Sequence, residues 1–324
     1  MKTYTPLFAV LWLIIGSAIS AQDGISLEIT PAGGMNFGYT EYEMDLRYVN
    51  EGVPYRVRSL LEFPLGTSFL GLKATLTGSH DYVEDWKIDA MLVTNMNDPS
   101  GKMYDHDWEA VYNEPLTKFS YTESNSKLSS LALETSVSKK LHSGAIAVYF
   151  QLGFDYYHYD FEIIDYAGWQ LVGGVPHYFR GTETGILYVI NYYFPRAAMQ
   201  FERWQPGGDW RTEFSAGAGA VFFSDDDDHV LRLKRATANG TGFGLKADFN
   251  IRRYLGNSHN FKRPYIEVTA DVHYFKASGN QTQKWYGDDP ASEGYDDTGD
   301  SLSGLPHDVR SLVYRIGLEL GIPL

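Results

Sequence analysis

The sequence predicts an all-β fold, a ten-stranded antiparallel transmembrane β-barrel with long loops at one end and short turns at the other. Three observations carry that reading. Apolar and polar residues alternate with period two over segments of about ten residues, which suits strands with one lipid face and one lumen face. Short and long connections alternate along the chain. The composition is 15% aromatic, with 24 Tyr and 32 Gly among 324 residues, and no segment after residue 21 approaches the roughly 20 consecutive apolar residues that a spanning helix requires.

From Ile25 to Tyr39, Ile25, Leu27, Ile29, Met35, Phe37 and Tyr39 occupy odd positions, giving the first strand. Thr40 to Asn50 is rich in charge and reads as a loop, with Gly52-Val53-Pro54 preceding strand two, Tyr55 to Thr77. A turn at Gly78 to Asp85 leads to strand three, where Trp86, Ile88, Ala90 and Leu92 alternate with Lys87, Asp89, Met91 and Val93. A long loop is expected over Asn95 to Lys118. Strands four and five follow at Lys127–Lys139 and Ala145–Phe161, then a loop at Asp165 to Thr182. Strand six is Thr184–Phe201 and strand seven Trp210–Phe223. Arg232 to Gly240 reads as a loop, and strands eight and nine are Gly242–Tyr254 and Arg263–Phe275. After a loop at Lys276 to His307, strand ten places Leu312, Tyr314, Ile316, Leu318, Leu320 and Ile322 on one face. The chain ends on Pro323 and Leu324, where such barrels more often carry an aromatic. A secreted β-sandwich also has short alternating strands; their even number and the rhythm of connections favour the barrel, whose closure removes exposed edges.

Residues 1–21 have the form of a secretory leader: Lys2, an apolar run from Leu7 to Ile15, and small residues from Ser17 to Ala21. One barrel domain would occupy 22–324. With no Cys, neither a disulfide framework nor a thiolate metal site is possible. A net charge of −14 argues against nucleic acid and suits cationic partners.

Two acidic clusters carry chemistry. Met103-Tyr104-Asp105-His106-Asp107-Trp108 follows strand three, and Ser224-Asp225-Asp226-Asp227-Asp228-His229 follows strand seven. Both strands are odd-numbered and leave short turns, so both deliver their clusters to one end. Taken alone, the four-Asp run equally describes a solvated loop or a Ca²⁺ site; so do Asp288-Asp289 and Asp296-Asp297 with Asp300. His106, between the two aspartates, points the opposite way in extended chain. Arg232, Lys234 and Arg235 form a basic stripe that reads as a solvated strand face ahead of lipid-phosphate binding or balancing of the acids, and Trp108, Tyr104 and Tyr112 read as loop packing ahead of lining a substrate cleft.

Together the clusters resemble the active-site motifs of the omptins, outer-membrane proteases of Gram-negative bacteria, which carry Asp-x-Asp-Trp on one loop and Asp-x-His on another. Ser59-Leu60-Leu61-Glu62-Phe63 and the aromatic run from Gly185 to Pro195 are similar to family segments as well. The resemblance implies that Asp105 and Asp107 are the catalytic Asp pair, that Asp227 and His229 are the Asp-His dyad, and that Asp225 lines a pocket for the basic residue preceding the cut. The usual pocket partner is a Glu from the first loop; Glu41 and Glu43 flank the aligned position, Tyr42. Ser124-Asn125-Ser126 lacks the His that many members carry there. The family binds lipopolysaccharide, but Tyr156 and His158 stand where an acid and an arginine are expected.

An imidazole with an ordinary pKa of about 6.5 is a base near neutral pH, and a carboxylate on its other side stabilises the imidazolium. The expected activity is therefore an endopeptidase using water as the nucleophile, with no metal or other cofactor, although Ca²⁺ in the acidic loops and lipopolysaccharide are possible ligands. Expected partners are cationic peptides, surface-accessible proteins and outer-membrane lipid, with a monomer in the outer membrane whose site faces outward. The alternative is a non-catalytic outer-membrane barrel acting as an adhesin or a ligand- or cation-binding surface protein.

Overall fold

The computed structural model describes residues 25–50, 52–80, 83–111, 114–256, 263–290 and 295–323. The leader segment, Tyr112 and Leu324 lie outside the described residues. Thirteen strands follow in order: β1 Ile25–Asn50, β2 Val53–Pro64, β3 Thr67–His80, β4 Val83–Asn95, β5 Pro99–Val111, β6 Thr117–His142, β7 Ala147–Val172, β8 Val175–Arg180, β9 Ile186–Trp204, β10 Trp210–His229, β11 Lys234–Tyr254, β12 Tyr265–Trp285 and β13 Ser301–Pro323.

They form a closed antiparallel ring of ten staves. β1 pairs with β13 along Glu28–Glu43, closing the sheet, and its other edge pairs with β3 low down and β2 higher up. β2 and β3 are two halves of one stave, and so are β4 and β5: β3 pairs with β4 and β2 with β5. The break between β4 and β5 is held by side chains that replace ladder bonds. Asn95 Nδ2 donates to Leu128 O at 2.6 Å, Ser130 N donates to Asn95 Oδ1 at 2.7 Å, and Ser68 N donates to Asn97 Oδ1 at 2.7 Å. The short strand β8 pairs with the top of β7 in a hairpin above the ring.

Outward side chains between Trp210 at the lower end and Phe37, Tyr193, Phe222, Phe243 and Tyr314 at the upper end form an apolar belt, with Leu72, Leu152, Leu245 and Val268 among its exposed residues. No helix among the described residues is long and apolar enough to cross a membrane. Within the belt the lumen is filled rather than open. Glu134 takes Lys246 at 2.6 Å and Arg315 at 2.7 Å; Asp155 takes Arg196 at 2.9 Å; Glu202 takes Lys87 at 2.7 Å. Above this ionic layer lies an aromatic one built from Phe63, Phe161, Tyr188, Tyr192, Phe194 and Phe275.

The sequence predicts loops at 40–50, 95–118, 165–182, 232–240 and 276–307 where the structure has mainly strand. β1 runs on to Asn50, β5 occupies most of the third-stave region, β11 starts at Lys234, and the last connection shrinks to 286–300. Above the belt the outer face meets water and the inner face the aromatic layer, so in β1 the apolar residues pass from odd positions to even ones, Tyr42, Met44 and Leu46, while the backbone ladder continues. Period-two patterning reports contrast between the faces, not extended backbone as such.

Candidate active site

The aspartates expected on loops are therefore set on strands. On β10, Val221, Phe223, Asp225, Asp227 and His229 share the inner face, because alternate residues of a strand point the same way. β10 is registered on both sides, to β9 as far as Ile186 and to β11 as far as Lys234, so these side chains ride on a paired scaffold. β5 brings Asp105 and Asp107 in from the far side of the ring, held between β2 and β6 with an irregularity at Asp107/Trp108. His106 faces the other way. Its ring stacks on Trp108 at 5.6 Å, and Lys118 Nζ lies 2.8 Å from its Nδ1. Trp108 is sandwiched on that face by Arg58 at 4.9 Å and Lys118 at 5.0 Å.

His229 Nε2 is 2.9 Å from Asp227 Oδ2, and the Tyr42 hydroxyl donates to the same oxygen. These groups stand above the apolar belt, five or more residues beyond Phe222. Burial alone would raise the Asp227 carboxyl, but the His229 charge and hydrogen bond, with the Tyr42 hydroxyl, outweigh it and hold the group below the ordinary carboxylate range. Asp105 shifts the other way. Burial and the Asp107 and Asp227 charges push it well above that range, against Lys234 and Arg232. Burial also raises Asp107, opposed by a hydrogen bond with Ser59 and by His229, Arg232 and Lys234. One end of the barrel thus holds a carboxylate shifted down beside an imidazole and, across from it, two carboxyls shifted up, the first by an opposite charge and the pair by burial, with like charge added at Asp105. Asp105 Oδ1 and Asp227 Oδ1 are buried without a hydrogen-bond partner.

Asp225 is otherwise engaged. Its Oδ2 lies 2.6 Å from His307 Nε2 and accepts a bond from the Tyr188 hydroxyl at 3.3 Å. Gln281 Nε2 is 3.4 Å from His307 Nδ1, and Gln281 Oε1 accepts from Gln283 Nε2 at 2.8 Å, so both ring nitrogens of His307 have polar neighbours. Glu41 and Glu43 do not join Asp225. They lie on the opposite face of β1 from Tyr42, with Glu41 2.7 Å from Arg310 and Glu43 2.9 Å from Arg58. Tyr42 fills the position between them, its ring 4.8 Å from His307 and 5.4 Å from Tyr188.

The basic stripe also dissolves into separate roles. Arg232 sits in the 3-10 turn after β10 and holds Asp289 at 2.8 Å, so Asp289 is buried rather than solvated. Arg235 pairs outward with Asp226. Lys234 points inward and is buried. Sequence reasoning missed His307, Tyr42 and Tyr188. The signal available for Tyr42 was its alignment between two acids; for His307 there was none, because its region reads as loop. Among the described residues no cluster of three or more His, Asp or Glu is arranged to hold a metal ion.

No family profile matches the sequence, and no curated protein matches it. Among solved structures, the chain is similar to the crystal structure of the outer membrane protease OmpT from Escherichia coli, with a TM-score of 0.68 and 15% identity over 92% of this chain and 97% of that one. The outer membrane protein OprG from Pseudomonas aeruginosa, at 11% identity and covering 91% and 95%, has a TM-score of 0.33. The translocator domain of the autotransporter NalP from Neisseria meningitidis, also at 11% and covering 97% and 94%, has one of 0.29. At such identities the likeness speaks for architecture alone, and the architecture is an omptin-like outer-membrane barrel.

Proposed function

We propose that this protein is an outer-membrane endopeptidase that hydrolyses peptide bonds by activating water. The observation that carries the reading is the 2.9 Å contact of His229 Nε2 with Asp227, facing a half-buried carboxyl pair at the same end of the barrel. Asp105 and Asp107 hold the water, one of them protonated, since closely placed carboxylates resist double ionisation. His229 takes a proton from that water as its oxygen adds to the scissile carbonyl, and returns it to the amine nitrogen as the carbon–nitrogen bond breaks. Asp227 orients the imidazole and stabilises its cation. No acyl-enzyme forms and no metal is needed.

The substrates are cationic peptides or surface-accessible proteins cut next to Arg or Lys. The density of carboxylates at the mouth and the net charge of −14 support that choice. The protein sits in the outer membrane as a monomer with this end outward, and lipopolysaccharide on the belt is a candidate activator. The test is hydrolysis of a quenched fluorescent peptide containing paired Arg by refolded protein, with and without lipopolysaccharide and with chelator present. Chelator-resistant cleavage is expected, lost on the order of 10³-fold in His229→Ala and in Asp105→Ala. Intact peptide from folded protein under every condition would replace the reading with a ligand-binding barrel.

A further inference from the structure

Lys234 opens β11 directly opposite His229 in the β10–β11 ladder. Its side chain turns into the mouth, with the residue 6% exposed. Nζ lies 5.9 Å from the Trp285 ring centre, and among the described residues it has neither a hydrogen bond nor an ion pair. That is unusual for this protein: the other buried lysines, Lys87 and Lys246, sit 2.7 Å and 2.6 Å from carboxylates. Its neighbour Arg232 is committed to Asp289 and half exposed. The Lys234 stem is buried, and its ammonium takes no partner among the described residues and is not one of the side-chain atoms shut off from solvent, so its donors stay available to a group that enters the mouth. Burial and the Arg232 charge hold Lys234 below its ordinary value, against the attraction of Asp227, Asp289 and Asp105. The Lys234 charge favours the ionised forms of both Asp105 and Asp227, and its place opposite His229 puts it on the dyad's side of the mouth.

Resting on the hydrolytic reading above, we propose that Lys234 is a catalytic residue of the reaction, the cation that stabilises the oxyanion. As the water oxygen bonds to the carbonyl carbon, the carbonyl π pair moves onto oxygen and His229 carries the water proton. The new negative charge appears beside an ammonium whose donors are free, and Lys234 keeps its proton throughout. When the π bond re-forms, the carbon–nitrogen bond breaks and His229 protonates the leaving amine. A donor already in place where charge develops contributes selectively to the transition state.

The experiment compares wild type, Lys234→Met, Lys234→Arg and His229→Ala as refolded barrels of equal heat-modifiability, using the paired-Arg peptide. A second probe is an analogue whose scissile amide is replaced by a phosphinate, which mimics the tetrahedral oxyanion. Lys234→Met, which keeps the stem against Trp285, is expected to lower kcat by about 10²–10³-fold with KM within about threefold, and Lys234→Arg to restore part of it. Lys234→Met also weakens phosphinate inhibition by a similar factor while leaving inhibition by the product peptides unchanged. A purely structural role would weaken both kinds of inhibitor together. The proposal is overturned if Lys234→Met keeps kcat within about threefold, if only KM moves, or if product and phosphinate inhibition fall together. Loss in His229→Ala with full activity in Lys234→Met removes this role and leaves the hydrolytic reading standing. An inactive, folded wild type removes both.

Discussion

Asp227 is buried and Asp105 half-buried on opposite sides of the ring, and they shift in opposite directions, so they contribute to stability with opposite sign. Asp227, held below its ordinary range by His229 and Tyr42 despite burial, contributes stability that is present above the unfolded value of about 3.9 and is lost as the pH falls through the folded value. Asp105, raised by burial and by Asp107, favours the fold below about 3.9 and loses that contribution as the pH rises through its folded value. Asp105→Asn is therefore expected to inactivate the protein and yet raise its melting temperature at pH 8, the gain shrinking towards pH 4. Asp227→Asn is expected to lower the melting temperature at pH 7, with the difference closing in strong acid. Melts of both variants across that range check the signs, and a destabilised Asp105→Asn at pH 8 contradicts the assignment. His307 gives a third case at this scale. Removing it leaves Asp225 buried with only Tyr188, so His307→Ala should cost about 1.5–3 kcal/mol, read as a lowered denaturant midpoint.

Ladder closure depends on a few backbone positions. Gly38 in β1 has φ 119°, and a Cβ there would come within 1.9 Å of Leu312 O on β13. Gly38→Ala is thus expected to cost about 1 kcal/mol or more and to loosen the seam between first and last strands, measured as faster amide exchange along 35–43 and 309–316. Unchanged exchange there would show that the seam tolerates the side chain. Gly38 is also instructive about what the sequence discloses. The alternation through Met35, Phe37 and Tyr39 predicts the strand, and the outer face it predicts is the apolar belt. Above the belt the pattern changes phase rather than ending: the even positions Tyr42, Met44, Leu46 and Tyr48 are apolar and the odd ones Glu41, Glu43, Asp45 and Arg47 charged, the reverse of Met35, Phe37 and Tyr39 below, so a reading keyed to the odd apolar face takes the stretch for a loop. The same limit governs the site. Asp105, Asp107, Asp227 and His229 were legible as local spacing, and the parity of their strands brought them to one end. Tyr42 facing inward follows from the parity of β1, whose odd residues Met35 and Phe37 face outward; His307 beside Asp225 depends on the registers of β10 on β11, β11 on β12 and β12 on β13. A one-residue difference in register exchanges the faces, and composition does not specify it.

At the scale of the molecule, the filled lumen separates this barrel from a pore. Glu134, Asp155, Lys246, Arg196 and Arg315 interlock across the interior within the belt, with a cavity of about 110 Å³ among them, room for a few waters but not for a continuous channel. The aromatic layer above it closes the lumen again beneath the site. An ion crossing would have to break buried pairs, each costing about 3–5 kcal/mol when one partner is removed. The refolded protein is therefore expected to give no steady conductance in planar bilayers at neutral pH, with or without peptide. Arg315→Ala, which strips Glu134 of one of its two cations, should destabilise the barrel before it opens a path. Stable single-channel steps in the wild type would mean that the ionic layer yields, and would recast the acidic mouth as the vestibule of a cation pore.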